Sequence, residues 1–335
     1  MAISKINSSI KSNPDTGFGT QGGQIGGRFI NRDGSFNIRK TGLPAWKRIS
    51  IYSYLLEISW LKFLTFIILF YFLAGLFFTI LYVLVGVDQL HGMLATTKWG
   101  KIKEAFFFST QSFTTVGFGR LNPLGDGANI ISSIETMSGF LFFALVTGLL
   151  YGRFTRPKAY IAFSEKALIS PYKEGIALMF RMVPYKDIHQ LTDTKVVVNL
   201  SLLITENGKS DYKFYRLPLE RSSIDSFSMN WTVVHPIDEE SPLYHYTKED
   251  LVKADFELMV QLTGFDPIFS NQVMQRTSYR VNELVWGAKF ILMYNQDDDA
   301  DTTVLELDKL SRYDKVELPL PYMQKQPDAI RANSV

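Results

Sequence analysis

Two stretches of the chain stay apolar for longer than a buried helix of a soluble protein, which usually keeps a polar face. Residues 63–87 carry no formal charge, and residues 128–152 carry only that of Glu135. A hydrocarbon core about 30 Å thick is crossed by roughly 20 apolar residues in a helix. Each stretch therefore predicts a membrane-spanning helix, and we expect a first span over 60–87 and a second over 127–154.

The cations that flank these spans predict their orientation. Lysines and arginines are frequent before the first span and directly after the second, and sparser between the two. The positive-inside bias therefore favours both termini in the cytoplasm, together with everything from about Lys158 onward. The cations nearest the predicted inner membrane surface are Lys47, Arg48, Lys62, Arg153, Arg156 and Lys158.

The N-terminal part of the chain has a different pattern. Residues 1–27 are polar and glycine-rich and predict a disordered N-terminus. Residues 28–38 indicate a short strand with a turn at Asp33-Gly34. Residues 47–59 have apolar positions near helical spacing and predict an amphipathic helix at the inner membrane surface, with a plain extension of the first span as the alternative. We group 28–59 as a cytoplasmic strand and interfacial helix.

After the membrane domain, which we place at 60–157, the pattern changes to short strands. Turn signals such as Glu206-Asn207-Gly208 separate them at intervals typical of a β-sandwich. One helix is predicted at 247–253, with Thr247 as its N-cap. We therefore expect an all-β domain over 158–325 and a tail over 326–335. The predicted strands are 159–164, 167–170, 176–183, 195–205, 212–219, 229–234, 255–262, 272–279, 283–292 and 303–306.

Composition excludes several classes of function. A net charge of +2 is too small to indicate a nucleic-acid binder. The absence of cysteine removes disulfides, zinc–thiolate sites and thiol nucleophiles. The histidines are scattered, without nucleophile–base or metal-ligand spacing, so we expect no enzyme. The acidic run at 297–301 lacks the glycine and glutamate of a calcium loop and favours a solvated hairpin tip.

The segment between the spans carries the most specific signal. Residues 101–113, KIKEAFFFSTQSF, predict a helix that is too short to cross the membrane and too aromatic to lie in water. Irregular backbone at membrane depth must be buried in protein or line a cavity. We therefore expect a re-entrant helix, and it leads directly into the sequence TTVGFG at 114–119.

That sequence can build an ion filter. A dehydrated potassium ion needs oxygens in place of its water, and backbone carbonyls supply them when four strands face one axis. Gly117 and Gly119 allow the positive φ that turns successive carbonyls inward. Thr115 adds a hydroxyl, while Val116 and Phe118 are expected to point away and pack against the short helix, whose C-terminal dipole favours a cation.

This filter, 115–119, implies a homotetramer, because one chain supplies only one strand. Potassium would be held at Thr115, Val116, Gly117 and Phe118. The tripeptide of 117–119 also occurs at 17–19, but there it has no adjacent span or short helix. We therefore interpret the earlier copy as flexible chain.

Several segments in matching order resemble one family. Together they are similar to inward-rectifier potassium channels, particularly the prokaryotic, KirBac-like branch. The resemblance implies a two-span α-helical pore domain with a re-entrant pore helix, an immunoglobulin-like all-β cytoplasmic sandwich, homotetramers and a place in the inner cell membrane. Animal members carry a disulfide beside the pore, so a chain without cysteine fits the prokaryotic branch. The segments are RFINRDGSFN (28–37), SFTTVGFG (112–119), LLYGRFTRP (149–157), SPLY (241–244), ADFEL (254–258) and RTSYRVNELVWG (276–287).

The resemblance also implies residue roles. Residues 115–119 match the selectivity filter, with Phe118 where tyrosine is commoner, which removes a hydroxyl directed toward the pore helix. Glu135 matches an acid of the inner helix behind the filter, for which we expect a structural role. Phe143 replaces the acid that holds blocking polyamines, so weak rectification is expected. Phe143 and Tyr151 would form constrictions or the gate, with ordinary helix packing as the alternative.

Two further features come from the same resemblance. Residues 268–275 match the loop that narrows the cytoplasmic pore. The cations at the inner surface match a region that binds anionic lipid or phosphoinositide, each worth about 1 kcal/mol toward an anionic surface, with topology alone as the alternative. No cofactor is implied beyond the permeant potassium ion. The competing functions are a poorly selective cation channel and a membrane-anchored β-sandwich that binds a partner.

Overall fold

The computed structural model describes residues 12–13, 27–48, 50–206, 208–296 and 302–319. The predictions for the N-terminal 26 residues, apart from 12–13, therefore lie outside the described residues, as do those for the acidic run at 297–301 and for the chain from 320 onward. The chain divides into two compact units, Lys40–Arg156 and a second that combines Met1–Arg39 with Pro157–Val335. Each is described by itself.

The unit Lys40–Arg156 is helical. Its helices are α1 (Ala45–Arg48), α2 (Ile51–Glu57), α3 (Trp60–Val85), α4 (Lys98–Phe113) and α5 (Asp126–Phe154). It also has a short antiparallel pair, β1 (Leu90–His91) with β2 (Asn122–Pro123), whose strands precede and follow α4 in the chain.

Two of these helices, α3 and α5, are long and apolar enough to cross a membrane. Helix α3 ends two residues before the predicted position, because Gly86 follows with φ +111° and breaks the helical backbone. Helix α5 begins at Asp126, one residue earlier than predicted. The short helix α4 packs with both, through a core that includes Phe78, Tyr82 and Phe108.

The prediction of one helix over 47–59 is wrong. The structure has α1 and α2 instead, and the break has a local cause: Ser50 adopts an extended backbone and its hydroxyl accepts a hydrogen bond from Ser53 N. A serine in that conformation caps a new helix rather than continuing the old one. No side chain of α2 is buried.

Helix α4 begins three residues before the predicted start, at Lys98. Thr97 is the reason, because its side chain accepts a hydrogen bond from Gly100 N at 3.1 Å and caps the helix. The added turn carries Trp99, which is exposed. The helix still ends at Phe113, directly before the filter sequence.

The second unit is built from β-strands and one short helix, α6 (Lys248–Lys253). Thr247 caps α6 in a complete capping box with Asp250, as the sequence predicts. The strands are β3 (Ile161–Phe163), β4 (Ala167–Tyr172), β5 (Gly175–Pro184), β6 (Leu191–Glu206), β7 (Lys209–Arg216), β8 (Ser223–Phe227), β9 (Trp231–Pro236), β10 (Glu257–Asp266), β11 (Asn271–Arg280), β12 (Leu284–Trp286), β13 (Ala288–Phe290), β14 (Tyr294–Gln296), β15 (Thr303–Leu305) and β16 (Tyr313–Lys315).

Two five-stranded sheets carry the core of this unit. One has the order β11-β10-β6-β7 with β8 also paired to β6, and the other β12-β4-β5-β3 with β9 also paired to β5. Residues of both sheets, such as Leu178 and Val233 from one and Val198 and Leu258 from the other, belong to a single hydrophobic core. The sequence correctly indicated a β-rich domain.

Several predicted strand bounds are wrong. The strand expected over 283–292 is two strands, β12 and β13, because Gly287 between them has φ +64°. The strand expected over 212–219 is shifted and ends at Arg216. Strands β8, β14 and β16 were not predicted, because each is a short, largely polar segment without a clear alternation.

The predicted N-terminal strand is reduced to one bridge, Ile30 with Phe36. Residues 28–37, here the N-terminal arm, are held instead by side chains of the β-rich unit. The carboxylate of Glu257 accepts hydrogen bonds from Phe29 N at 2.7 Å and Ile30 N at 3.0 Å. Arg28 pairs with Glu283 at 3.1 Å. The arm is therefore anchored to β10 and to the turn after β11, more than two hundred residues away in sequence.

Candidate functional site

The site begins where α4 ends. Thr115 N donates to Ser112 O at 3.0 Å, and Val116 N donates to Gln111 O at 3.0 Å. These bonds satisfy carbonyls of the last helical turn, which otherwise lack partners. The chain therefore turns tightly out of the helix, and residues 115–119 start at the negative end of its dipole.

The sign of the backbone angle φ alternates along residues 115–119. Thr115, Gly117 and Gly119 have φ of +59°, +50° and +85°, while Val116 and Phe118 do not have positive φ. Alternation of this kind rotates successive peptide groups so that their carbonyls can face one side, whereas a regular strand alternates them. The glycines adopt it freely, but Thr115 does so at a cost of roughly 1–2 kcal/mol. The sequence indicated a positive φ at the two glycines but not at Thr115.

The side chains of Val116 and Phe118 are largely uncovered in the single chain. Val116 is 55% exposed and Phe118 is 79% exposed.

The outer end of the segment is tied to the β1–β2 pair. Asn122 Nδ2 donates to Gly119 O at 3.2 Å. Arg120 Nη1 donates to Gly92 O at 3.2 Å and pairs with Glu104 Oε1 at 3.2 Å. Gly92 has φ +95°, and a Cβ there would lie 2.0 Å from the carbonyl oxygen of Arg120. A short strand pair with a required glycine thus fixes the chain just after the filter sequence.

Behind the segment, one carboxyl group joins three helices. Glu135 of α5 is fully buried. Tyr82 Oη of α3 donates to Glu135 Oε2 at 2.7 Å, and Ser109 Oγ of α4 donates to Oε1 at 2.5 Å. Buried polar groups are retained when they are hydrogen-bonded, and both oxygens of this carboxyl have partners.

Close backbone contact holds α5 against the end of α4. A Cβ at Gly139 would lie 1.8 Å from Phe113 O, so only glycine fits. A Cβ at Gly75 of α3 would lie 3.0 Å from the Thr110 side chain. Small residues allow membrane helices to approach closely. Neither glycine was predicted from the sequence, since a glycine within an apolar run shows no partner.

One face of α5 lies beside Thr115. Thr115 shares a concave surface with Ser133, Thr136, Met137 and Phe140. Farther along the helix, Phe143 and Tyr151 are both exposed on this chain. Spacings of three or four residues from Ser133 to Phe143, followed by eight to Tyr151, put these positions on roughly one side of the helix. The sequence identified only Phe143 and Tyr151 of this face.

Comparison with known proteins identifies the group to which this arrangement belongs. A family model described as inward rectifier potassium channel C-terminal domain matches residues 161–329, and one described as ion channel matches residues 50–156. The chain is also 35% identical over 267 residues to the inward rectifier potassium channel Kirbac3.1 of Paramagnetospirillum magnetotacticum, covering 79% of this chain and 88% of that protein. The chain belongs to the inward rectifier potassium channel family.

Vertebrate members are more distant. The ATP-sensitive inward rectifier potassium channel 14 of Rattus norvegicus and that of Mus musculus are each 25% identical over 291 residues. These matches cover 79% of this chain but 65% of those proteins. The resemblance stated from the sequence is confirmed. The family consists of membrane ion channels, so the expectation that the chain is not an enzyme is confirmed as well.

The six cations that were predicted to lie at the inner membrane surface have different surroundings. Lys62 and Lys158 are exposed. Lys47 lies over the Trp46 ring, and Arg48 donates to a backbone carbonyl of Lys40. Within the helical unit, two cations at the end of α5 have defined partners. Arg156 pairs with the exposed Glu57 at 3.3 Å, while the Arg153 guanidinium lies between two backbone carbonyls and two aromatic rings.

Within residues 268–275, which the resemblance matches to the loop that narrows the cytoplasmic pore, β11 begins at Asn271. The geometry of the turn before β11 is set by Asp266, which is fully buried and accepts a hydrogen bond from Ile268 N at 2.9 Å. The same carboxyl group lies 3.0 Å from His189 Nδ1, and the imidazole stacks on Phe269. A buried carboxylate thus anchors the turn between β10 and β11.

Proposed function

We propose that the chain forms a potassium-selective channel of the inward-rectifier type, as a homotetramer in the inner cell membrane with both termini in the cytoplasm. The observation that carries this proposal is the alternating backbone at 115–119, placed at the C-terminal end of α4 between two membrane-spanning helices. The cation bias of the sequence supports the orientation.

The ion path would be made of backbone oxygens. Carbonyls of Thr115, Val116, Gly117 and Phe118 from four chains replace the hydration shell of potassium, and the Thr115 hydroxyl adds a ring at the inner end. The exposed side chains of Val116 and Phe118 support assembly, because a neighbouring copy would provide the wall that one chain lacks. The permeant ion is the only bound species required.

Glu135 is proposed as the structural acid of this filter. Its two hydrogen bonds connect α3, α4 and α5 at a level behind residues 115–119. A carboxyl at membrane depth is costly and is kept when it has partners or a role. Holding α4 in place keeps the start of the filter in place, since Thr115 and Val116 are bonded to the last turn of α4.

Gating is proposed at the inner helix and at the cytoplasmic loop 268–275. Phe143 and Tyr151 are two turns apart on α5 and exposed on this chain, so four copies could close an apolar ring at each level. Phe143 offers no carboxylate to blocking cations. Weak rectification is therefore expected, and current–voltage curves with and without cytoplasmic magnesium measure it.

Modulation by anionic or phosphoinositide lipid is proposed for the inner-surface cations. Each exposed cation near an anionic surface contributes about 1 kcal/mol. Lys62 and Lys158 support the proposal because they are exposed, and Arg156 because its partner Glu57 is exposed too. Arg153 is the least available of the group. The full set is Lys47, Arg48, Lys62, Arg153, Arg156 and Lys158.

Rubidium uptake into liposomes that contain the purified protein tests the proposal. Uptake that barium blocks is the expected result, with a dependence on the fraction of anionic lipid. Protein that is inserted and folded but shows no uptake would favour the membrane-anchored binding protein. A bi-ionic reversal potential near zero for potassium against sodium would favour the poorly selective cation channel.

A further inference from the structure

Both terminal nitrogens of the Arg153 guanidinium are bonded to neighbouring helices, while the buried Nε has no hydrogen-bond partner. Nη1 donates to Leu55 O at 2.6 Å, and Nη2 donates to Ile58 O at 2.6 Å. The Arg153 carbon Cζ lies 4.7 Å from the ring centre of Trp60 and 4.6 Å from that of Phe63. A side chain at the end of α5 thus closes over the junction between α2 and α3.

The carbonyls at this junction need such a donor. Leu55 is in the last turn of α2 and Ile58 is its C-cap residue, and carbonyls at a helix end lack partners within the helix. A cation there also complements the negative end of the helix dipole. The planar fork of arginine reaches both oxygens at once, which the single ammonium of lysine does not reproduce.

Close packing surrounds the same point. A Cβ at Gly152 would lie 3.1 Å from Tyr52 Oη and 3.3 Å from a methyl carbon of Leu56, so α2 lies directly against the end of α5. The rings of Trp60 and Phe154 are 5.0 Å apart. Arg156, by contrast, has its ion-pair partner Glu57 in solvent.

We propose that Arg153 is a positioning residue that fastens the end of α5 to the α2–α3 junction, rather than a lipid ligand. Tyr151 lies two residues before it on the same helix, so the fastening sets where the proposed gate stands. This step rests on the proposed channel function. In the proposed tetramer, α5 lines the pore and α2 and α3 lie outside it, so the clamp would hold α5 away from the axis.

The decisive comparison is between Arg153→Lys and Arg153→Gln. Lysine keeps the charge and loses the fork, so under the proposal both variants lower rubidium uptake by roughly tenfold, the worth of a charge-assisted hydrogen bond. The fraction of anionic lipid that gives half-maximal uptake stays as in the unmodified chain. Arg156→Gln is the matched control, and it shifts that fraction without a comparable loss of maximal uptake.

Two results would overturn the proposal. If Arg153→Lys behaves like the unmodified chain while Arg153→Gln shifts the lipid dependence as Arg156→Gln does, the residue is a lipid ligand. If both variants lower the melting midpoint but conduct normally per folded tetramer, the contact serves stability alone.

A second readout does not depend on conduction. The chain has no cysteine, so Tyr54→Cys places a single spin label on the exposed side of α2. Its mobility in liposomes should rise when Arg153→Lys or Arg153→Gln is added, and remain unchanged with Lys62→Gln, at an exposed position on α3. If the label is equally mobile with and without the Arg153 substitutions, the clamp is contradicted. If those substitutions raise the mobility but the unmodified chain shows no rubidium uptake, only the channel function is contradicted.

Discussion

Phe118 is the filter residue at which a single hydroxyl can be added to test its effect on ion selectivity. It is 79% exposed on the single chain and carries no hydroxyl. Phe118→Tyr adds one hydroxyl that can bond to a neighbouring pore helix, worth about 1 kcal/mol. We expect the potassium-to-sodium permeability ratio to rise roughly fivefold in bi-ionic reversal potentials. Phe77→Tyr on the exposed side of α3 is the control and should leave the ratio unchanged. An unchanged or lower ratio for Phe118→Tyr would show that the filter gains no support from a hydroxyl.

His235 predicts how the stability of the β-rich unit depends on pH. Nδ1 contacts Pro218 O at 2.6 Å, and Nε2 contacts Ser241 Oγ at 2.7 Å. A neutral ring with its proton on Nδ1 satisfies both, since the serine hydroxyl can then donate to Nε2. Burial lowers the pKa of His235 below its ordinary 6.5, and the carbonyl contact offsets this in part.

The sign of the effect follows from this lowered pKa. Below 6.5 the unfolded imidazole binds a proton that the folded one resists, so stability falls as pH decreases, by at most about 1.4 kcal/mol per pH unit. His235→Gln should therefore show a smaller drop in melting midpoint between about pH 7.5 and about pH 5. His91→Gln, at an exposed position, should behave as the unmodified chain. An equal drop in all three proteins would contradict the assignment.

The residues of the site were only partly predictable. Gly117 and Gly119 were identified because their lack of a Cβ makes positive φ cheap. Thr115 also has a positive φ, which a residue with a Cβ disfavours. It lies between backbone hydrogen bonds to the end of α4, which the sequence does not show. Arg153 was predicted to bind anionic lipid because the sequence shows its charge but not the two backbone carbonyls to which it donates hydrogen bonds.

At the scale of elements, the contact between α5 and α4 gives a sharp prediction. A Cβ at Gly139 would lie 1.8 Å from Phe113 O, whereas nothing lies within 4 Å of a Cβ at Gly148 on the same helix. Gly139→Ala should force α5 away from the filter and abolish most rubidium uptake. Gly148→Ala should retain uptake and add about 1 kcal/mol of helix stability. Equal uptake by the two variants would mean that α5 and α4 are not in this contact.

Element existence was easier to predict than element bounds. The apolar runs fixed α3 and α5 because length and lack of charge are properties of the run itself. The break at Ser50 and the early start of α4 at Thr97 depend on single capping hydrogen bonds. Gly287 divides a strand that the apolar pattern joined. The conformation of one residue decides each of these bounds, whereas a hydrophobic pattern reflects many residues at once and does not show it.

The whole molecule depends on contacts between distant segments, which no local pattern reveals. The N-terminal arm binds Glu257 through two backbone amides, across 228 and 227 residues of sequence. Burial raises the pKa of Glu257 more than these amides lower it. The sequence grouped the arm with the interfacial helix instead, since the arm is short and polar and shows no partner in the β-rich domain.

The largest claim at this scale is that four chains share one filter, and mixing tests it. Gly117→Val puts a β-branched side chain at φ +50°, a conformation such residues avoid, so this subunit should not contribute a working filter strand. Equal co-expression with the unmodified chain leaves about one sixteenth of random tetramers free of the variant. Rubidium uptake per protein should fall to about that fraction, because each ring of carbonyls needs all four chains. A fall to about one half would mean that each chain conducts alone, and it would contradict both the shared filter and the tetramer.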